Sequence, residues 1–277
     1  NHLDLTIRRS TERKDEDADL PFGRFINPRE IFGSHDDSDH VYNTPRAWFM
    51  ERYLNPKTYR WDGENADYTP VSDDIPWSLI PEYKVTMEDV KYVLSSHYQG
   101  TPYDPYLPYG DKKMAGAYRS IGVNRTDFMS AIQMRPYGAE DSRVIEWVTF
   151  ASNAFNVMVP FYANVDTTPE YLANTTADVS TDNFYWNSRL IAAMTDASYG
   201  KSIVHVERYQ LAVQSDAYAI LHKYDALMEQ AGDGAEREIL REDANREIAQ
   251  MLKKKTADTL DKVLFELSSQ MKNAFSR

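Results

Sequence analysis

Apolar and polar residues alternate from the first positions of the chain. In "NHLDLTIRRS", Leu3, Leu5 and Ile7 fall on one face and His2, Asp4 and Thr6 on the other, the pattern of a half-buried strand. The first residue thus stands inside a sheet element, and the sequence predicts an internal fragment or the second chain of a cut precursor. Residues 8–44 are rich in charge, Gly, Pro and Asp without regular apolar spacing, and read as connections with short helical pieces. "TPRAWFMERYL" predicts a short helix with Thr44 as cap, Pro45 in the first turn and Trp48, Phe49, Tyr53 and Leu54 as its apolar side, stopped by Asn55 and Pro56. In "VTMEDVKYVLSSHYQG", Thr86 and Asp89 form a capping-box pattern, Met87, Val90, Val93 and Leu94 an inward stripe, and Gly100 the stop.

Three strands are predicted next, in "TDFMSAIQM", "RVIEWVTFA" and "AFNVMVPFY", separated by a polar loop at 136–143 and a tight turn near Ser152 and Asn153. Gaps this short imply an antiparallel meander. Beyond Trp186 the period becomes helical. Val206, Tyr209, Val213, Ala217, Ile220, Tyr224 and Leu227 share one side; after a break at "AGDGA", so do Leu240, Ala244, Ile248, Met251, Leu260, Val263, Leu267 and Met271. Strands followed by a long helical hairpin give an α+β fold, with helices packed on an antiparallel sheet.

With 277 residues, 42% of them hydrophobic, the chain can build a large core. The balance of 31 basic against 43 acidic residues gives a net charge near −12, which repels phosphate backbones and anionic lipid, so neither nucleic acid nor membrane is an expected partner. No apolar run approaches the roughly 18 residues of a membrane span. Zero cysteines exclude disulfides, cysteine zinc sites and a thiol nucleophile within these residues, but assign no compartment.

Most candidate chemistry has a plainer explanation. "HDDSDH" at 35–40 places His35, Asp36, Asp37, Asp39 and His40 together, yet it lacks the glycine turn and distal Glu of a calcium loop and the helical spacing of zinc histidines, and reads as a solvated acidic loop. Phosphate loops, dinucleotide fingerprints and serine-hydrolase elbows are absent. His97 and His205 fall in predicted helices and His222 follows Leu221, positions that suit structural or exposed roles better than a general base. The 19 Tyr and 5 Trp could form a sugar-stacking surface, but most occupy inward positions and suit core packing.

"SSHYQGTPYDPY" at 95–106 is more specific than a helix end and a turn require. It resembles a signature of the bacterial dipeptidase A family, cysteine peptidases of the N-terminal-nucleophile (Ntn) hydrolase superfamily. "NRTDFMSAIQMRP", "VIEWVTFASNAFNVMVPFYANVDTTPEYL" and "NFYWNSRLIAAMTDASYG" are similar to further pieces of that family, in the same order and over nearly the whole chain. The resemblance implies the C-terminal portion of an αββα sandwich. Residues 1–200 would form the rear of that domain and residues 201–277 a helical hairpin packed on it. It also implies dipeptide hydrolysis through a thioester, with no metal and no organic cofactor, in a homo-oligomer.

In that family the attacking group is an N-terminal cysteine whose α-amine serves as base. The chain has no cysteine, so the resemblance implies that the nucleophile lies on an N-terminal fragment or chain of the same precursor. Asn1 matches the strand asparagine that the related bile-salt and penicillin amidases use as an oxyanion donor, a contribution of about 3 to 4 kcal/mol to the transition state. Arg46 in "TPRAWF" matches the arginine that those enzymes carry about fifty residues later at a helix head, and would orient or support the nucleophile. Asn1 itself is no Ntn nucleophile, because a carboxamide has no usable nucleophilic atom. An amidase acting on bile-salt-like or penicillin-like acyl groups would share both residues, and a non-catalytic aromatic-rich binding module would need neither.

Overall fold

The computed structural model describes residue 34 and residues 36–274. The strand predicted at the start of the chain and most of the 8–44 connection lie outside the described residues. The chain divides into two units, Asn1–Ile121 and Gly122–Arg277.

In the first unit, helix α1 (Asp39–Tyr42) leads almost directly into α2 (Thr44–Leu54), and α3 (Met87–Leu94) follows a long irregular stretch. Thr44 is not the cap of α2. It is the first helical residue and is buried, and Asn43 precedes it in helical conformation, because the turn of α1 has already wound the backbone. The capping box at Thr86 is present in both directions: Thr86 Oγ1 accepts from Asp89 N–H at 3.2 Å, and an Asp89 carboxylate oxygen accepts from Thr86 N–H at 2.8 Å. Helix α3 ends at Leu94, earlier than Gly100 predicted, because the Ser95 hydroxyl turns back onto Lys91 O at 2.6 Å. His97 consequently lies in the following turn and not in a helix. The core of this unit is aromatic, with Trp48, Phe49, Trp61, Tyr68, Ile75 and Tyr98 packed together.

The second unit is α+β. Strands β1 (Phe128–Met134), β2 (Val144–Phe150) and β3 (Val159–Tyr162) form an antiparallel sheet in the order β1-β2-β3, the expected meander. The third strand is shorter than its apolar run. Residues Asn153–Phe155 form a 3-10 turn, and the Asn156 amide ties Phe150 O and Ser188 Oγ together, each at 2.7 Å, so the chain straightens only at Val159. Four helices follow: α4 (Glu170–Ala173), α5 (Phe184–Ala197), α6 (Tyr199–Gln230) and α7 (Gly234–Ser268). Asp233 caps α7 by accepting from Glu236 N–H at 2.9 Å, which explains the break at "AGDGA". The α6 stripe is buried from Val206 to Tyr224 as its spacing predicts, but Met228 and not Leu227 completes it. Along α7 the buried positions include Ala244, Ile248, Leu252 and Val263, whereas Met271 is exposed beyond the helix end.

One face of the sheet packs on α6, with Trp147 against Tyr218 at 5.5 Å between ring centroids. At the end of β1, Arg135 forms a bidentate pair with Asp225 of α6 at 2.7 and 2.9 Å and donates to Ser142 O at 2.8 Å. The Tyr162 hydroxyl donates to the same Asp225 at 2.6 Å, so strand ends and helix share one polar knot. On the opposite face, Phe128, Ile132 and Met134 of β1 are exposed.

On the outer side of β3, the backbone N–H and C=O of Tyr162 pair with the Asn245 carboxamide of α7 at 2.8 and 2.9 Å. Both residues are buried, so Asn245→Leu strands two main-chain groups away from water. Each such group costs about 1–3 kcal/mol. Urea unfolding is expected to show a loss of that order for this variant, and none for the exposed substitution Gln250→Ala on the same helix.

Candidate active site

Arg46 stands in the first turn of α2 with its guanidinium half-buried. Its Nε donates to Arg119 O at 3.2 Å and its Nη2 to Ser120 O at 3.0 Å. Two neighbouring backbone carbonyls therefore hold the planar fork. No carboxylate pairs with Arg46 among the described residues, whereas Arg52, one and a half turns along the same helix, is neutralised by Asp62 at 2.9 Å. Its acceptors here are neutral carbonyls, and the planar fork is of the kind that suits an oxyanion or a carboxylate.

The carbonyls are fixed in turn. Arg119 N–H donates to Val41 O at 2.9 Å, and Arg119 O also receives the Tyr98 hydroxyl at 2.9 Å. Tyr98 is fully buried, its ring edge-on to Phe49 at 5.7 Å. Burial pushes its phenol well above the usual range, only partly offset by the positive charge of Arg46, so the hydroxyl stays protonated and donating.

Tyr98 lies within the turn that carries the most specific sequence pattern. Its φ is +68°, the left-handed region, which an aromatic residue occupies at a cost of about 1–3 kcal/mol. Side chains of the same turn enforce that conformation. Ser96 Oγ accepts from Tyr98 N–H at 2.9 Å, Gln99 Oε1 accepts from His97 N–H at 2.9 Å, and Tyr98 O receives the Thr101 hydroxyl at 2.7 Å. His97 Nδ1 lies 3.0 Å from Asp104 Oδ1, and that oxygen also accepts from Tyr106 N–H at 2.9 Å, which closes the turn from its far end. Both side chains are buried.

Of the two site residues expected from sequence, Arg46 is placed at the centre of this arrangement and Asn1 lies outside the described residues. Sequence reasoning missed Tyr98 and the carbonyls of Arg119 and Ser120. The available signal was the density of turn-forming side chains around one aromatic in "SSHYQGTPYD". In the acidic stretch, Asp36 Oδ1 accepts from Ser38 N–H at 2.9 Å within the local turn, and His40 Nε2 lies 2.9 Å from Asp73, 33 residues on; His35 lies outside the described residues. Among the described residues no group of His, Asp and Glu is arranged to hold a metal ion, and no helix is long and apolar enough to cross a membrane.

Residues 3–212 match the profile of peptidase family C69. The chain is 44% identical to a dipeptidase of Bifidobacterium longum, over 99% of the chain and 56% of that protein. It is 40% identical to a probable dipeptidase A of Streptococcus pyogenes serotype M18, over 91% of the chain and 50% of the relative. A dipeptidase A of Lactobacillus helveticus is 36% identical over 62% of the chain and 35% of its own length. The chain thus spans about half the length of the curated relatives it matches.

Proposed function

The chain belongs to peptidase family C69, and from that premise we propose that it forms the rear part of an Ntn-type cysteine dipeptidase whose nucleophile is supplied by an N-terminal segment or chain of the same precursor. Three facts support this reading: relatives named as dipeptidases are about twice as long as the chain, the chain contains no cysteine, and its α+β second unit is compatible with one sheet and one helical layer of an αββα sandwich. The observation that carries it is the Arg46 guanidinium, fixed by two backbone carbonyls and with no carboxylate partner among the described residues.

In the proposed reaction the N-terminal cysteine thiol attacks the dipeptide carbonyl while its α-amine takes the proton and delivers it to the leaving amine. Water then cleaves the thioester. The Asn1 carboxamide donates to the tetrahedral oxyanion, and Arg46 supports the charged nucleophile end electrostatically. Neither a metal nor an organic cofactor takes part.

Dipeptide hydrolysis by the chain alone and by the chain co-produced with its Cys-bearing part tests the proposal. Activity is expected only in the second sample, abolished by iodoacetamide, and greater on dipeptides than on bile-salt or penicillin-type amides. Turnover by the chain alone, or turnover insensitive to thiol alkylation, would refute it.

A further inference from the structure

We propose that Tyr98 is a positioning residue that acts through Arg46: its hydroxyl pins Arg119 O in the 119–120 segment, whose two successive carbonyls hold the guanidinium fork. The inference rests on the assignment of Arg46 to the reaction, and goes beyond it by giving a task to the "SSHYQGT" turn.

The argument begins with conformation. At φ +68° a glycine would sit without cost, and the sequence supplies one only two positions later, Gly100, itself at φ +78°. A bulky aromatic in the left-handed region persists only where its surroundings over-determine it, and such residues cluster at functional sites. Here the turn enforces the backbone, and the side chain is what the conformation delivers. The Tyr98 ring crosses the aromatic core against Phe49 and places its hydroxyl 2.9 Å from Arg119 O, the oxygen that receives Arg46 Nε at 3.2 Å.

The segment that carries those carbonyls has little regular structure of its own, and its backbone is tied to the rest of the unit through Arg119 N–H on Val41 O. The Tyr98 hydroxyl supplies a second tie, placed at the acceptor that matters. With both ties the Arg119 and Ser120 carbonyls are fixed before Arg46 arrives, so the fork is oriented in advance and loses little freedom in the reaction.

Tyr98→Phe removes the hydroxyl and keeps the ring. In the enzyme assembled with its Cys-bearing part, kcat for dipeptide hydrolysis is expected to fall about tenfold with KM within about twofold. Hydrogen exchange at Arg46 Nε–H, followed by nuclear magnetic resonance, is expected to quicken by about tenfold. In an Arg46→Lys background the same substitution should add nothing, because a single ammonium cannot span both carbonyls.

Unchanged exchange and kcat in Tyr98→Phe, or losses that multiply in the double variant, would overturn the proposal. If Arg46→Lys retains full activity, the role of Arg46 fails, while its Nε–H exchange still decides whether Tyr98 positions it. Should Tyr98→Phe not fold, the wild-type protein decides: Arg46 Nε–H must exchange far more slowly than the exposed Arg60, and equal rates would refute the proposal.

Discussion

Arg46→Met, in the proposed enzyme assembled with its Cys-bearing part, is expected to lower kcat/KM for dipeptide hydrolysis by about 10²- to 10³-fold, the size of effect seen when one preorganised charge or donor is removed from a reacting centre. Methionine fills the stem of the side chain and deletes only the fork, so the apolar contacts of α2 remain. The stability cost is small by comparison. Arg119 O keeps the Tyr98 hydroxyl, and Ser120 O loses one donor, which together amount to about 1 kcal/mol. Steady-state kinetics measured beside urea unfolding separate the two effects. An activity loss no larger than the stability loss explains would remove Arg46 from the reaction.

The largest stability effect belongs to the second unit. Asp225→Ala is expected to cost about 3–5 kcal/mol, because it leaves the Arg135 guanidinium buried and uncompensated. The asymmetry of the pair makes the prediction sharper: the Arg135 side chain is only 7% exposed, while that of Asp225 is 30% exposed. Arg135→Met leaves a carboxylate that can reach water and still accepts from Tyr162 at 2.6 Å, and should cost clearly less. Asp225 also serves two elements at once, so its loss removes one tie of β3 and one of the β1 end to α6. Denaturant midpoints of the two variants, compared at equal slope, check the order.

The sequence made the long periodic elements legible. Two helices of 32 and 35 residues repeat their apolar positions often enough that the misplaced ones, Leu227 for Met228, Met251 for Leu252 and Met271 beyond the helix end, do not blur the pattern. The capping box at Thr86 was legible because both of its halves are side chains at a fixed spacing. Element ends were less so. Thr44 has the chemistry of a cap, but the preceding turn had already set the helix, and Asn156 truncates β3 through a contact with Ser188, 32 residues away. At the candidate site, Arg46 could be named only through resemblance. What holds it is main-chain oxygen, which carries no side-chain signature, and a tyrosine in a conformation that its residue type disfavours. Both belong to tertiary structure.

The Asn245 carboxamide also governs how the sheet can grow. By occupying the free N–H and C=O of Tyr162, it supplies at β3 the pair of bonds that another strand would have made. Among the described residues no strand pairs with the far side of β1. Among the described residues this leaves the edge along Phe128–Met134 as the side of the sheet where a further strand can pair. One amide on a distant helix thus sets strand order as effectively as a terminal hairpin would.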